Sequence, residues 1–166
     1  NAIKENFVSD EYYFDTKQSP KLIFEQKGTG IGTLYTLLTE AIGFESGEEG
    51  KTMGLAPYGK DFSSVDKDLP SLKGDYKDFI VDYSNQIFRN PSPKLKFNIK
   101  KIQNKKEVYN PYYSRLAYNL QKETEDCLIY LAKKTLKFLK TDSLCFSGGV
   151  ALNCVANNKI QNLKEI

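Results

Sequence analysis

Residues 143–157 read Ser143-Leu144-Cys145-Phe146-Ser147-Gly148-Gly149-Val150-Ala151-Leu152-Asn153-Cys154-Val155-Ala156-Asn157, and this stretch decides the fold class. Ser143 to Phe146 is a short apolar run that reads as a strand. Two glycines end it. Val150 to Leu163 then reads as a helix, with Val150, Leu152, Val155 and Ile160 apolar. A long helical pattern precedes the run. Helix, strand, glycine turn, helix is the order of an α/β layer architecture.

The same stretch is the strongest candidate site. Two glycines at a strand-to-helix junction let the N–H groups of Gly148, Gly149 and Val150 come close to an anion, and the next helix adds its positive end. Ser147 can add a hydroxyl. Asn153 can reach a phosphate or a sugar from the first turn. A tight turn with no ligand would use the same glycines, so both readings stay open. No Gly-Lys-Ser/Thr follows, which excludes a Walker loop.

Working outward, Asn110-Pro111 is a helix start, with Asn as cap and Pro at the first helical position. The helix is expected to run to about Lys140. Leu116, Leu120, Thr124, Cys127, Leu128, Leu131, Thr135 and Phe138 keep one face, which reads as core packing. Glu123, Glu125 and Asp126 precede Lys133, Lys134, Lys137 and Lys140, an order that suits the helix dipole.

Further upstream, Thr29 to Ile42 reads as a helix with Thr29 as its cap and Gly43 as its left-handed stop. Its start, Gly28-Thr29-Gly30-Ile31-Gly32, is equally explained by close helix packing. Gly47 to Gly59 reads as a loop and a short helical piece ended by Pro57-Tyr58-Gly59. Here Gly50 lets backbone pass near a ligand, Lys51 can neutralise phosphate or developing charge, and Glu49 can bind a ribose hydroxyl or act as a base. A solvated charged turn is the competing reading. Lys21 to Phe24 reads as a strand behind Pro20, and Lys60 to Leu72 as irregular. Tyr76 to Asp82 and Gln86 to Asn90 read as two strands joined around Ser84-Asn85. Pro91 and Pro93 interrupt that pattern, and Leu95 to Ile102 reads as an edge strand.

Bulk properties bound the rest. The chain has 166 residues, 40% hydrophobic and 27% charged, which suits one globular domain. A net charge of +3 is too small to argue for nucleic acid, and Lys94 to Lys106 reads as solvated surface. No apolar run nears the roughly 20 residues of a membrane span, and no signal peptide opens the chain. Asn1 rather than Met suggests a start within a longer protein. Three cysteines match no metal or disulfide framework. Cys127 and Cys145 read as buried thiols, and a reducing cytoplasm is expected. The absence of histidine excludes a Ser-His or Cys-His pair within the chain and argues against an internal transition-metal site.

Three segments in this order resemble the NodU/CmcH family of carbamoyltransferases. Gly30-Ile31-Gly32-Thr33-Leu34-Tyr35 through Gly43-Phe44 is similar to that family's S-x-G-x-L-Y…T-E-x-x-G-F helix. Gly47 through Gly59 is similar to its G-E-x-x-K-x-M-G-L-A-P-Y-G segment, and Leu144 through Asn157 to its L-C-L-A-G-G-V-A-L-N-C-V-A-N segment. Arg115-Leu116-Ala117, Gln121 and Glu125 fit the long helix between them.

The resemblance implies the central part of an actin-like ATPase domain of RNase H-like type, a mixed sheet with flanking helices, here one partial domain over residues 1–166. It implies a two-step reaction. A YrdC-like domain of the same chain joins carbamoyl phosphate and ATP into carbamoyl-adenylate, and the actin-like domain passes the carbamoyl group to a hydroxyl of a sugar or secondary metabolite. By the same resemblance Gly148, Gly149 and Asn153 contact nucleotide phosphates, with Ser147, Val150 and Gly50 beside them, and Glu49 and Lys51 help line one cleft. Family members carry an iron-type metal on a His-x-x-x-His pair and an Asp, so those ligands are expected outside this segment. On that basis the segment alone is expected to be inactive. A homodimer is left open. The alternatives are a related tRNA threonylcarbamoyl or hydrogenase-maturation carbamoyl transferase, and a non-catalytic nucleotide-binding or scaffold module.

Overall fold

A computed structural model describes residues 10–15, 21–27, 29–77 and 80–166. Strand β1 (Asp10–Asp15) pairs antiparallel with β2 (Lys21–Lys27), with a register irregularity between Tyr13 and Phe14. The expected strand at Lys21 is therefore present and longer than Lys21 to Phe24. Pro20 and Gly28 lie outside the described residues.

Helix α1 spans Ile31–Ile42, and its apolar face (Ile31, Leu34, Tyr35, Leu38, Ile42) is buried as its periodicity requires. Thr29 is not the cap. Gly30 takes that place without a side-chain bond, while Thr29 is buried and its carbonyl accepts from Tyr83 N at 3.0 Å. Gly43 closes the helix at φ 121°, as a left-handed stop requires.

Helix α2 (Glu49–Leu55) runs into a 3-10 turn, Ala56–Gly59. A second 3-10 stretch, Ser63–Asp68, lies within the segment expected to be irregular. The following strands pair differently from expectation. β3 (Asp75–Lys77) and β4 (Ile80–Asp82) form one hairpin, and β5 (Ile87–Arg89) pairs with β6 (Pro93–Leu95) in another. Tyr76 to Asp82 is thus two strands, and the edge strand lies at Pro93–Leu95 rather than Leu95 to Ile102. Pro93 is tolerated because it opens a strand with only one neighbour, where no second ladder needs its missing N–H.

Helix α3 (Pro111–Leu139) is the spine, 29 residues and so about 43 Å long. Asn110 Oδ1 accepts from Tyr112 N at 2.9 Å, which is the expected cap. Leu116, Leu120, Cys127 and Leu128 are buried as expected. The stripe then turns, so that Ala132 and Leu136 are buried while Phe138 is half exposed. Lys140 ends the helix in the left-handed region at φ 53°.

Glu123 and Glu125 are buried, while Asp126 sits at the surface and accepts from Lys122 Nζ at 2.6 Å. One expectation fails after α3. Ser143 to Phe146 is not a strand, and Cys145 and Phe146 are exposed. Among the described residues no strand lies beside this run, and an extended segment without a partner has no ladder to satisfy its backbone groups. A 3-10 turn (Gly149–Leu152) and then helix α4 (Cys154–Gln161) replace the single expected helix.

The chain is therefore mixed α and β, with three two-stranded antiparallel sheets among the described residues in place of the expected mixed sheet. One core joins α1, α2, α3 and the β3–β6 region through Leu34, Leu38, Tyr83, Ile87, Leu116 and Leu120. A smaller one joins α3 and α4 through Leu128, Ala132, Ala156 and Ile160.

Among the described glycines, Gly59 has the least room, packed directly on α3. A Cβ built at Gly59 would lie 2.0 Å from the Ser114 carbonyl oxygen and 2.6 Å from Arg115 N. Arg115 then reaches over the junction, donating to the carbonyls of Gly59 and Lys60 at 3.3 and 3.0 Å. Its Nε and Nη2 also bind the two Asp66 oxygens at 2.7 Å each. That guanidinium, with Asn119 assisting, holds the Asp66 carboxyl down at about 2.

Two outcomes follow. Gly59→Ala should destabilise the protein by about 3 kcal/mol or leave it unfolded, because the methyl meets backbone that cannot give way. Gly54→Ala, mid-helix with nothing within 4 Å, should stabilise by roughly 0.5–1 kcal/mol; urea melts of both variants decide. Because the folded Asp66 carboxyl titrates below its unfolded value, its contribution is present above about pH 4. It is lost as pH falls toward 2. Urea midpoints measured across that window should fall less steeply in Asp66→Asn than in the wild type.

Candidate functional site

The two glycine-rich motifs, about a hundred residues apart, meet at one cavity of about 470 Å³. From the first motif come Gly47, Glu49, Gly50 and Met53. From the second come Gly149, Val150, Leu152 and Asn153. Ile31, Gly32, Tyr35 and Thr36 of α1 close one wall. The approach of α1 to the second motif is tight, since a Cβ at Gly32 would lie 3.0 Å from Val150 Cγ2. That is the close-packing role open to the Gly30-Ile31-Gly32 start.

Glu49 opens α2, where a carboxylate complements the helix dipole. Thr36 Oγ1 donates to Glu49 Oε1 at 2.8 Å. That bond, with backbone N–H groups, lowers the Glu49 pKa, so the group is an ionised acceptor at neutral pH. Such a carboxylate suits hydroxyl recognition and is a weak base.

Lys51 does not join Glu49. Two residues on a helix differ by about 200° in direction, so i and i+2 cannot share a face. Lys51 instead pairs with Glu48, lies 5.9 Å from the Phe44 ring centroid and lines a second cavity with Leu55, Tyr58 and Phe62. Among the described residues no Lys or Arg lines the first cavity. The expected charge-neutralising lysine is therefore on the far side of α2.

Ser147 and Gly148 precede the cavity wall. Gly148 has φ 103° and ψ 176°, a region that only glycine occupies without strain. Its role is to turn the chain so that Gly149 and Val150 face the space. The N–H groups of those two residues donate to no backbone acceptor among the described residues. Gly50 and Gly149 have nothing within 4 Å of a built Cβ, so both present open backbone.

Asn153 is buried and caps α4, with Oδ1 accepting from Ala156 N at 3.0 Å. It also forms a reciprocal amide pair with Gln121. Asn153 Nδ2 donates to Gln121 Oε1 at 2.9 Å, and Gln121 Nε2 donates to Asn153 Oδ1 at 3.1 Å. Tyr35 donates its hydroxyl to Gln121 Oε1 at 3.1 Å, and burial pushes the Tyr35 pKa well up, so it stays a donor. Gln121 Nε2 also donates to Glu125 Oε1 at 3.1 Å, and Glu125 pairs with Lys159 of α4.

Sequence reading missed Tyr35, Thr36, Gln121 and Glu125. Gln121 and Glu125 are four residues apart on α3, which puts them on one face next to the Thr124 that borders the cavity. A polar i, i+4 pair beside a stripe read as core was the available signal.

Comparison with known proteins agrees with the motifs. Residues 6–165 match the family model described as the carbamoyltransferase N-terminus. The chain is 34% identical over 140 residues to uncharacterized protein sll1178 of Synechocystis sp., covering 78% of this chain and 22% of that protein. It is 30% identical over 137 residues to uncharacterized protein MJ1058 of Methanocaldococcus jannaschii, covering 81% of this chain and 21% of that one. The chain thus spans about a fifth of the length of these relatives. With 160 of its residues inside the family model and both glycine motifs on one cavity, the chain belongs to the carbamoyltransferase N-terminal family.

Proposed function

We propose that this cavity binds the nucleotide of an ATP- and carbamoyl-phosphate-dependent O-carbamoyltransferase of the NodU/CmcH type, on an actin-like domain. The observation that carries this reading is the meeting of Glu49 and Gly50 with Gly149, Val150 and Asn153 around one space. The open backbone at Gly149 and Val150 meets anionic oxygens. The Glu49 carboxylate, which would repel phosphate, takes the ribose hydroxyls. Ile31, Met53 and Leu152 offer apolar surface to the base.

The donor in this reading is carbamoyl-adenylate, made by a YrdC-like domain of the same protein. The acceptor hydroxyl oxygen forms a bond to the carbamoyl carbon, the bond from that carbon to the adenylate phosphate oxygen breaks, and AMP leaves. The hydroxyl proton passes to solvent. Oriented N–H groups beside the phosphate stabilise the charge that grows on the departing group. The acceptor is a hydroxyl-bearing sugar or secondary metabolite, and the reaction is cytoplasmic. Among the described residues no group of three His, Cys, Asp or Glu gathers as metal ligands, so these residues do not fit an iron-type centre. Among them, too, no helix is long and apolar enough to cross a membrane.

The test is calorimetric titration of the full-length protein with ATP and with its 2′- and 3′-deoxy analogues. Wild type should bind ATP and prefer it to the deoxy forms. Glu49→Gln should weaken ATP by roughly tenfold or more, as expected for a lost charged hydrogen-bond acceptor, and erase most of that preference. Gly149→Val should abolish the ATP binding due to this cavity, leaving only that of the YrdC-like domain, with the melting temperature nearly unchanged, since its side chain enters open space. Lys51→Ala should leave ATP affinity within about twofold, as its face of α2 predicts. A Gly149→Val protein that is folded and binds ATP normally would refute the cavity as the nucleotide site.

A further inference from the structure

The Asn153 carboxamide is held in one orientation by Gln121 and, behind it, Glu125, neither of which lines the cavity. A carboxamide oxygen and nitrogen are nearly the same size, so only hydrogen bonding decides which way it points. Gln121 has all four of its side-chain capacities used. Its oxygen accepts from Tyr35 and Asn153, and its nitrogen donates to Glu125 and Asn153. Glu125 is an acceptor facing that nitrogen, and it is 4% exposed, with Lys159 of α4 as its counter-charge. The opposite flip of Gln121 would place its oxygen against the Glu125 carboxylate. With Gln121 fixed, Asn153 can satisfy it only with Oδ1 toward Gln121 Nε2, the same direction that caps Ala156 N. One Asn153 Nδ2–H goes to Gln121. The other meets no protein acceptor among the described residues, and Asn153 lines the cavity.

We propose that Glu125 and Gln121 are positioning residues that lock Asn153 with its spare N–H available to an oxygen of the ligand, making the site selective for an acceptor-rich, anionic group there. This rests on the nucleotide reading above and adds to it the residues that set the polarity of one contact. Glu125 acts as a hydrogen-bond acceptor in this role, and its charge is secondary.

That distinction gives the test. Glu125→Leu removes the acceptor and frees Gln121 to flip. Glu125→Gln keeps an oxygen in place without the charge. In the full-length protein, ATP affinity measured by calorimetry should drop roughly tenfold in Glu125→Leu, the value of one lost hydrogen bond. Glu125→Gln should recover most of it. NMR of isotope-labelled Asn and Gln side-chain amides, in the ligand-free protein, should show the Gln121 and Asn153 signals shifted and faster-exchanging in Glu125→Leu, and near wild type in Glu125→Gln. Equal loss of affinity in both variants would assign the effect to charge and overturn the proposal. So would amide signals in Glu125→Leu that match wild type. Should wild type bind no ATP, the nucleotide reading fails, and the amide signals still decide whether Glu125 orients Asn153.

Discussion

A buried carboxylate or carboxamide must find partners, and α3 buries three of them within five residues: Gln121, Glu123 and Glu125. Each draws a different part of the chain onto the helix. Glu123 Oε1 accepts from Gly74 N at 2.9 Å, Tyr76 OH at 2.5 Å and Tyr83 OH at 3.0 Å, which seats the β3–β4 hairpin. Gln121 draws in Tyr35 of α1 and Asn153. Glu125 draws in Lys159 of α4. Burial pushes the pKa of Tyr76 and Tyr83 far up, so both remain donors to Glu123.

This row explains why the fold assembles around α3 although its sheets are only two-stranded ribbons. An isolated ribbon is marginal in water and needs a surface to pack on. Here that surface is apolar along Leu116 and Leu120, with polar anchors set into it. The anchors also give register, because an apolar face tolerates sliding, whereas an unpaired buried carboxylate costs several kcal/mol. Thr39 and Thr52, whose hydroxyls lie 2.9 Å apart, tie α1 to α2 in the same way.

The site inherits its geometry from these ties. Gly59 sets α2 and its 3-10 turn against α3, and Gly32 admits Val150 against α1. The cavity is what remains between three elements that are each fixed elsewhere. Its polarity follows from helical phase. Glu49 faces in, Lys51 faces out, and among the described residues no basic side chain enters. In the proposed reading an anionic ligand there meets backbone and carboxamide N–H groups, which are oriented in advance and need no counter-charge to be buried with them.

Sequence alone determined α1 and α3, the helix ends at Asn110 and Gly43, and the two glycine motifs, because these depend on contacts within a few residues. It also carried the family, since motif order survives without coordinates. Only the tertiary structure decided that Glu49 and Lys51 part company, that Ser143 to Phe146 pairs with no strand among the described residues, that Tyr76 to Asp82 folds on itself, and that Gln121 pairs with Asn153. The first of these turns on a direction around a helix axis, and the last on a partner 32 residues away. The motif at 143–157 could announce a turn and a candidate ligand site. What it could not announce was the buried amide on α3 that pairs with Asn153.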